Sequence, residues 1–139
     1  MKLIDIIQKN IELELKLVGK RFKIAVISNI TVNLLKPVLE LNLREEGINA
    51  EVIIGDYDSI VQDSKRFSEC KTVIIFWETS NLIDGFQNFA TTSEVVDKLV
   101  QKVENEIDFV FENLSNCPLV LFNRFSSLIF EVSPLRKGV

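Results

Sequence analysis

Four short apolar runs, each about the length of a β-strand, recur along the chain and alternate with helical patterns. Runs rich in β-branched residues, with little polar alternation, are typical of strands that are covered on both faces. Strands that alternate with helices predict an α/β fold, here a three-layer parallel sheet with helices on both faces, of the flavodoxin-like type. The predicted strands are 22–27 (FKIAVI), 50–54 (AEVII), 72–77 (TVIIFW) and 119–122 (LVLF).

The domain organisation follows from length and hydrophobic content. A chain of 139 residues with 47% hydrophobic residues can bury one core, but it is too short for two ordinary domains. Residues 1–20 are predicted to form an N-terminal helix that ends near Gly19 and packs on residues 21–139, the α/β domain. Further helices are predicted up to Glu46 and over 60–67 and 94–114. The apolar stripe of the first helix comprises Leu3, Ile6, Ile7, Ile11, Leu15 and Val18.

Charge and cysteine usage exclude several classes of function. The chain has 20 acidic and 16 basic residues and no basic patch, so we expect no nucleic-acid partner. Its N-terminus lacks the uninterrupted apolar centre of a signal peptide or membrane span, which predicts a cytoplasmic protein without membrane contact. Cys70 and Cys117 precede predicted strands without CxxC spacing, so they are expected to be reduced structural thiols.

Metal and cofactor motifs are missing from the sequence. There is no histidine, which removes the usual zinc sites. The loop Gly55-Asp56-Tyr57-Asp58 is too short for a dedicated metal cage, and neither a dinucleotide fingerprint nor a P-loop is present. We therefore predict no metal and no cofactor.

Every predicted strand ends in polar residues. Ligands of open parallel sheets bind beyond the carboxyl ends of the strands, so these residues mark the place of a candidate site. The alternative is that Thr31, Asp56, Asp58 and Ser80 only cap helices. The strand-end residues are Ser28, Asn29, Thr31, Gly55, Asp56, Asp58, Glu78, Thr79, Ser80, Asn81, Asn123, Arg124, Ser126 and Ser127.

Three stretches resemble a known family. Residues 23–58, 73–82 (VIIFWETSNL) and 118–126 (PLVLFNRFS) are similar to the N-terminal domain of FkbH-type proteins, a relative of the SGNH (GDSL-type) hydrolases. The resemblance implies an SGNH-hydrolase-like fold, and we expect this chain to stop before the final helix of such a domain. It places Ser28-Asn29-Ile30-Thr31 at the nucleophile motif, and it likens Gly55 and Asn81 to the residues that hold an oxyanion.

The resemblance implies a function together with two alternatives. The leading hypothesis is a non-hydrolytic binding or scaffolding module in polyketide or surface-polysaccharide biosynthesis. Its partner would be an acyl carrier protein or a small acylated or sugar ligand. The first alternative is an esterase or acyltransferase with Ser28 as nucleophile and a base outside these residues, because a serine without a base is a weak nucleophile. The second is a purely structural interaction domain. The predicted ligand-binding residues are Ser28, Asn29, Thr31, Gly55, Asp56 and Asn81.

Overall fold

Among the residues that the structure describes, four parallel strands form a central sheet in the order β2-β1-β3-β4. The computed structural model describes residues 1–78 and 93–124. All four apolar runs form strands within one residue of their predicted ends, which confirms the predicted parallel α/β sheet. The strands are β1 (Phe22–Ser28), β2 (Ala50–Ile54), β3 (Thr72–Phe76) and β4 (Leu119–Phe122).

Helices connect the strands at the predicted places. Pro37 lies in the first turn of α2, where its missing N–H has no intrahelical partner to lose. Gly47 follows the helix with φ of 82°, a conformation that favours glycine and allows the chain to turn back. The described helices are α1 (Leu3–Lys16), α2 (Leu35–Glu45), α3 (Ile60–Arg66) and α4 (Ser93–Asn113).

Two apolar cores cover the two faces of the sheet. Strand β1 lies between β2 and β3, and its residues from Ile24 to Ser28 are all buried. Helix α2 packs leucines on the face that carries Val26 and Val52, whereas α3 and α4 pack on the face that carries Ile27 and Val73. This arrangement buries both faces of β1, as its unbroken apolar pattern predicts.

Helix α1 packs differently from the prediction. Of its predicted apolar stripe only Ile6 is half-buried, whereas Leu3, Ile7, Ile11, Leu15 and Val18 are exposed. The buried residue of the helix is Asn10, whose Nδ2 donates to the Pro37 carbonyl oxygen at 2.7 Å. Its Oδ1 accepts from the buried Arg44 guanidinium at 3.3 Å. The helix turns this polar side toward α2 because a buried guanidinium requires acceptors.

Two charged side chains of α2 close the outer edge of β2. Glu40 accepts a hydrogen bond from the Val52 N–H at 3.0 Å, and Arg44 donates to the Ala50 carbonyl oxygen at 3.0 Å. Both backbone groups point away from β1. The two side chains therefore occupy hydrogen-bonding positions that another strand would take at an open edge.

The cysteines lie at the amino-terminal edge of the sheet, as predicted. Both are free thiols, and Cys117 Sγ lies 3.3 Å from the Cys70 carbonyl oxygen. Burial, with a smaller contribution from Cys117, raises the pKa of the Cys70 thiol, which keeps it protonated and weakly nucleophilic at neutral pH. Separately, none of the described helices is both long enough and apolar enough to cross a membrane.

Candidate functional site

The carboxyl ends of β1 and β2 border a pocket of about 200 Å³. Ser28 is buried in it, whereas Thr31, Asn33 and Tyr57 are exposed. The structure thus brings together Ser28, Thr31 and Gly55 of the predicted ligand-binding residues. The lining residues are Ser28, Ile30, Thr31, Val32, Asn33, Ile54, Gly55 and Tyr57.

The Ser28 hydroxyl donates its proton to the carbonyl oxygen of Ile30, at 2.7 Å. A nucleophilic serine instead gives its proton to a base, usually a histidine that a carboxylate holds in place. The sequence contains no histidine. Among the described residues, the Ser28 hydroxyl therefore stabilises a turn beside the pocket and makes no hydrogen bond to a base that would activate it.

Backbone N–H groups beside the pocket are already engaged. The Gly55 N–H donates to the Val26 carbonyl oxygen at 2.8 Å, and the Asp56 N–H donates to Oδ2 of the buried Asp63 at 2.7 Å. An oxyanion hole needs N–H groups that point at the reacting oxygen. The Gly55 N–H is therefore not available for the role that the resemblance implies.

Gly55 nevertheless has a steric reason to be glycine. A Cβ at this position would collide with the carboxyl group of Asp63 and press on Ile27. The close approach allows the Asp63 side chain to bind the backbone of the loop that follows β2. Gly55 thus fixes the course of this loop past the pocket.

Asn29 lies on the other side of β1 from the pocket and is fully buried. Its Nδ2 donates to the Glu78 carbonyl oxygen at 2.9 Å, and its Oδ1 accepts from the Glu78 N–H at 2.7 Å. The side-chain amide therefore pairs like a further peptide group of β1 and continues the β1–β3 ladder beyond β3. The predicted ligand residue Asn29 contacts the backbone and does not line the pocket.

Asn123 repeats this pairing from β4. Its Oδ1 accepts from the Trp77 N–H at 2.6 Å, and its Nδ2 donates to the Trp77 carbonyl oxygen at 3.1 Å. In parallel sheets of this strand order, the usual ligand crevice opens between β1 and β3, where the connections leave in opposite directions. Among the described residues, the Asn29 amide bridges the ends of β1 and β3 at this place, whereas the Asn123 amide bridges the ends of β3 and β4.

The remaining predicted residues lie elsewhere. The Asp56 carboxylate is exposed and lies 3.3 Å from the Arg66 guanidinium, which also lies 3.5 Å from Asp63. Asp58 adopts φ of 54°, and its N–H donates to the Ser28 carbonyl oxygen at 3.1 Å, which holds the loop against β1. Asn81 lies outside the described residues, as do Thr79, Ser80, Ser126 and Ser127.

Helix capping does not account for the described strand-end residues. The N-caps of α2 and α3 are Leu34 and Ser59, and neither makes a side-chain capping bond. The alternative interpretation of Thr31, Asp56 and Asp58 as caps is therefore wrong. Within residues 1–78 and 93–124, no group of three histidine, cysteine or acidic residues could hold a metal ion.

Sequence reasoning missed two of the exposed residues at the pocket, Asn33 and Tyr57. Asn33 lies five residues beyond β1, whereas the predicted strand-end residues of β1 stop at Thr31. Tyr57 lies between Asp56 and Asp58, and only the two carboxylates were weighed as candidate site groups. One sequence signal could have indicated this pocket: a polar end of β1 together with the aromatic residue Tyr57 in the loop that follows β2.

The fold and the strand-end pocket define the class of this chain, an α/β protein with a flavodoxin-like parallel sheet. No protein-family model and no curated protein matches it significantly. Among solved structures it is similar to the N-terminal part of protein BF1531 from Bacteroides fragilis, described as containing a phosphatase domain complexed with Mg. The TM-score is 0.68 at 14% identity, over 98% of this chain and 37% of the other. This likeness shows the fold.

Proposed function

We propose that this chain is a non-hydrolytic binding module that holds a small ligand at the carboxyl ends of β1 and β2. The observation that carries the proposal is the state of the two groups that a hydrolase would need. The Ser28 hydroxyl proton is directed at the Ile30 carbonyl oxygen, and the Gly55 N–H is directed at the Val26 carbonyl oxygen. Among the described residues, neither a base at Ser28 nor a free N–H at Gly55 is present, and a pocket of this kind is suited to binding.

The biosynthetic setting is the finer part of the proposal. The similarity of residues 23–58, 73–82 and 118–126 to FkbH-type N-terminal domains supports a cytoplasmic module that works beside a catalytic domain. Its ligand would be an acylated or sugar group, or an acyl carrier protein. In addition, 98% of this chain aligns within 37% of a protein part that contains a phosphatase domain.

A thermal-shift screen tests the binding function. The purified chain is incubated with acyl carrier protein, short acyl thioesters and sugar nucleotides, and we expect at least one of them to raise the melting temperature in proportion to its concentration. Asn33→Ala should reduce this shift, whereas Asn42→Ala, on the exposed surface of α2, should not. Melting temperatures that no ligand changes would count against a binding module.

Hydrolysis of p-nitrophenyl acetate separates the binding module from the esterase alternative. We expect the wild-type chain and Ser28→Ala to release p-nitrophenol at the same slow rate, because no base among the described residues accepts the Ser28 proton. A rate that falls in Ser28→Ala, with folding unchanged by circular dichroism, would favour the esterase.

The structural interaction domain has one observation in its favour. Asn29, a predicted ligand residue, is buried and pairs with the backbone of Glu78. A purely structural role would extend this pattern to the pocket residues. If no ligand changed the melting temperature of the wild-type chain or of the variant with both Thr31 and Asn33 replaced by alanine, this alternative would replace the binding module.

A further inference from the structure

The pocket at the ends of β1 and β2 has no charged residue among its described lining. Ser28, Thr31, Asn33 and Tyr57 contribute hydroxyl and amide groups, and Ile30, Val32 and Ile54 contribute apolar surface. An ionised ligand group that moves from water into this pocket loses its hydration and gains no counter-charge. The lining therefore disfavours an anionic ligand group.

The surrounding loop does not supply the missing positive charge. The Arg66 guanidinium reaches this loop, but it lies within 3.3 Å of Asp56 and 3.5 Å of Asp63. Anions also bind where successive backbone N–H groups converge. Here the N–H groups of Gly55, Asp56 and Asp58 donate to Val26, Asp63 and Ser28 respectively, so they form no anion nest.

The polar groups that remain suit a ligand that both donates and accepts hydrogen bonds. The Ser28 oxygen keeps acceptor capacity, since its proton is given to Ile30. The Thr31 hydroxyl, the Asn33 amide and the Tyr57 hydroxyl make no side-chain hydrogen bond to another described residue. Hydroxyl groups of a ligand can use all of them, because a hydroxyl is both donor and acceptor.

Size and shape point to a small group with an apolar side. A volume of about 200 Å³ corresponds to the liquid share of on the order of six water molecules. Tyr57 is 65% exposed and presents an aromatic ring together with the isoleucine and valine side chains of the pocket. Rings and aliphatic side chains pack on C–H surface, whereas the neighbouring hydroxyls pair with O–H groups.

We infer that this pocket binds an uncharged group bearing several hydroxyls, either a sugar ring or a short hydroxyacyl chain, and excludes phosphates and carboxylates. The inference rests on the proposed binding function and narrows its ligand class. In a sugar nucleotide or a carrier-bound acyl group, the pocket would hold the neutral end and leave the phosphate outside.

Matched ligand pairs test the inference by two-dimensional amide NMR of the full chain. The pairs are glucose with glucose 6-phosphate, and 3-hydroxybutyramide with 3-hydroxybutyrate. We expect the uncharged member of at least one pair to shift the amide signals of Thr31, Asn33 and Tyr57 and to bind about tenfold more tightly than its charged partner. Comparing the two pairs distinguishes a sugar source from an acyl source.

Variants at the exposed residues of the pocket keep the test independent of folding. Asn33→Ala should weaken binding of the uncharged member severalfold, whereas the matched variant Asn42→Ala should leave it unchanged. Asn33→Lys should reverse the preference toward the charged member of each pair, because it adds the counter-charge that the lining lacks.

Two outcomes overturn the inference, and they differ in what they say about the binding module. Tighter binding of the phosphorylated or carboxylated members at the same amides refutes the uncharged ligand class but leaves the binding module standing. No shift at these amides with any of the four compounds also refutes the ligand class. The thermal-shift screen then shows separately whether the module binds another ligand.

Discussion

The two sides of β1 use polar strand-end residues in opposite ways. Toward β3, the Asn29 amide is buried and pairs with both backbone groups of Glu78. Toward β2, Thr31 and Asn33 are exposed and line an open pocket. Polar residues at the same edge of the sheet therefore stabilise the fold on one side of β1, whereas on the other side their side chains remain available for hydrogen bonds to a ligand.

Asn29→Ala should have the largest effect on stability and tests the difference between the two sides of β1 most directly. It removes the partners of the Glu78 N–H and carbonyl groups, so we expect the free energy of unfolding to fall by about 3 kcal/mol. Urea denaturation measures it. Asn49→Ala, which removes an exposed bond to the Gly19 carbonyl oxygen, serves as the control and should cost less than about 1 kcal/mol. Equal losses of unfolding free energy in the two variants would show that the Asn29 amide does not specifically stabilise the fold.

Gly55→Ala should destabilise the pocket side by about 2 kcal/mol, since the new methyl group collides with the Asp63 carboxyl group. A double-mutant cycle identifies the cause. In an Asp63→Ala background, the same substitution should cost clearly less, because the colliding atoms are absent. Additive losses in the cycle would contradict the steric explanation.

Ser28→Ala should cost about 1 kcal/mol through loss of the hydrogen bond to the Ile30 carbonyl oxygen. Thermal unfolding followed by circular dichroism measures the change. This outcome would place Ser28 between the two behaviours, because its hydroxyl both stabilises a turn and borders the pocket. Stability unchanged from wild type would indicate that the hydroxyl contributes only to the pocket.

Asn33→Ala should have the smallest effect on stability, within about 0.5 kcal/mol of wild type, because the side chain is exposed. The same urea titration serves, with Asn29→Ala as the contrasting variant. A loss approaching that of Asn29→Ala would end the distinction between the two sides of β1.

The sequence predicts the sheet well because each strand carries its own local pattern. The central strand β1 is buried on both faces, and its unbroken apolar run indicates this directly. The strand-end rule also located the pocket through Ser28, Thr31 and Gly55. These features depend on short-range patterns and on the general geometry of parallel sheets.

The roles of individual polar residues depend on long-range registration, which no local pattern contains. Asn29 and Glu78 are 49 residues apart, and only the alignment of β1 with β3 brings the amide to that backbone. The exposed stripe of α1 has the same origin. Its packing side was decided by the acceptors that Arg44 requires from Asn10, and Arg44 lies 34 residues further along the chain.

Glu40 and Arg44 block the β2 edge of the sheet to an additional strand. A strand from another molecule that docked beside β2 would have to displace a carboxylate from the Val52 N–H and a guanidinium from the Ala50 carbonyl oxygen. This protects β2 against edge-to-edge aggregation. Replacing both side chains by apolar ones, for example with Glu40→Leu and Arg44→Met, would remove the partners of the Val52 N–H and the Ala50 carbonyl oxygen and should make the protein less soluble at high concentration.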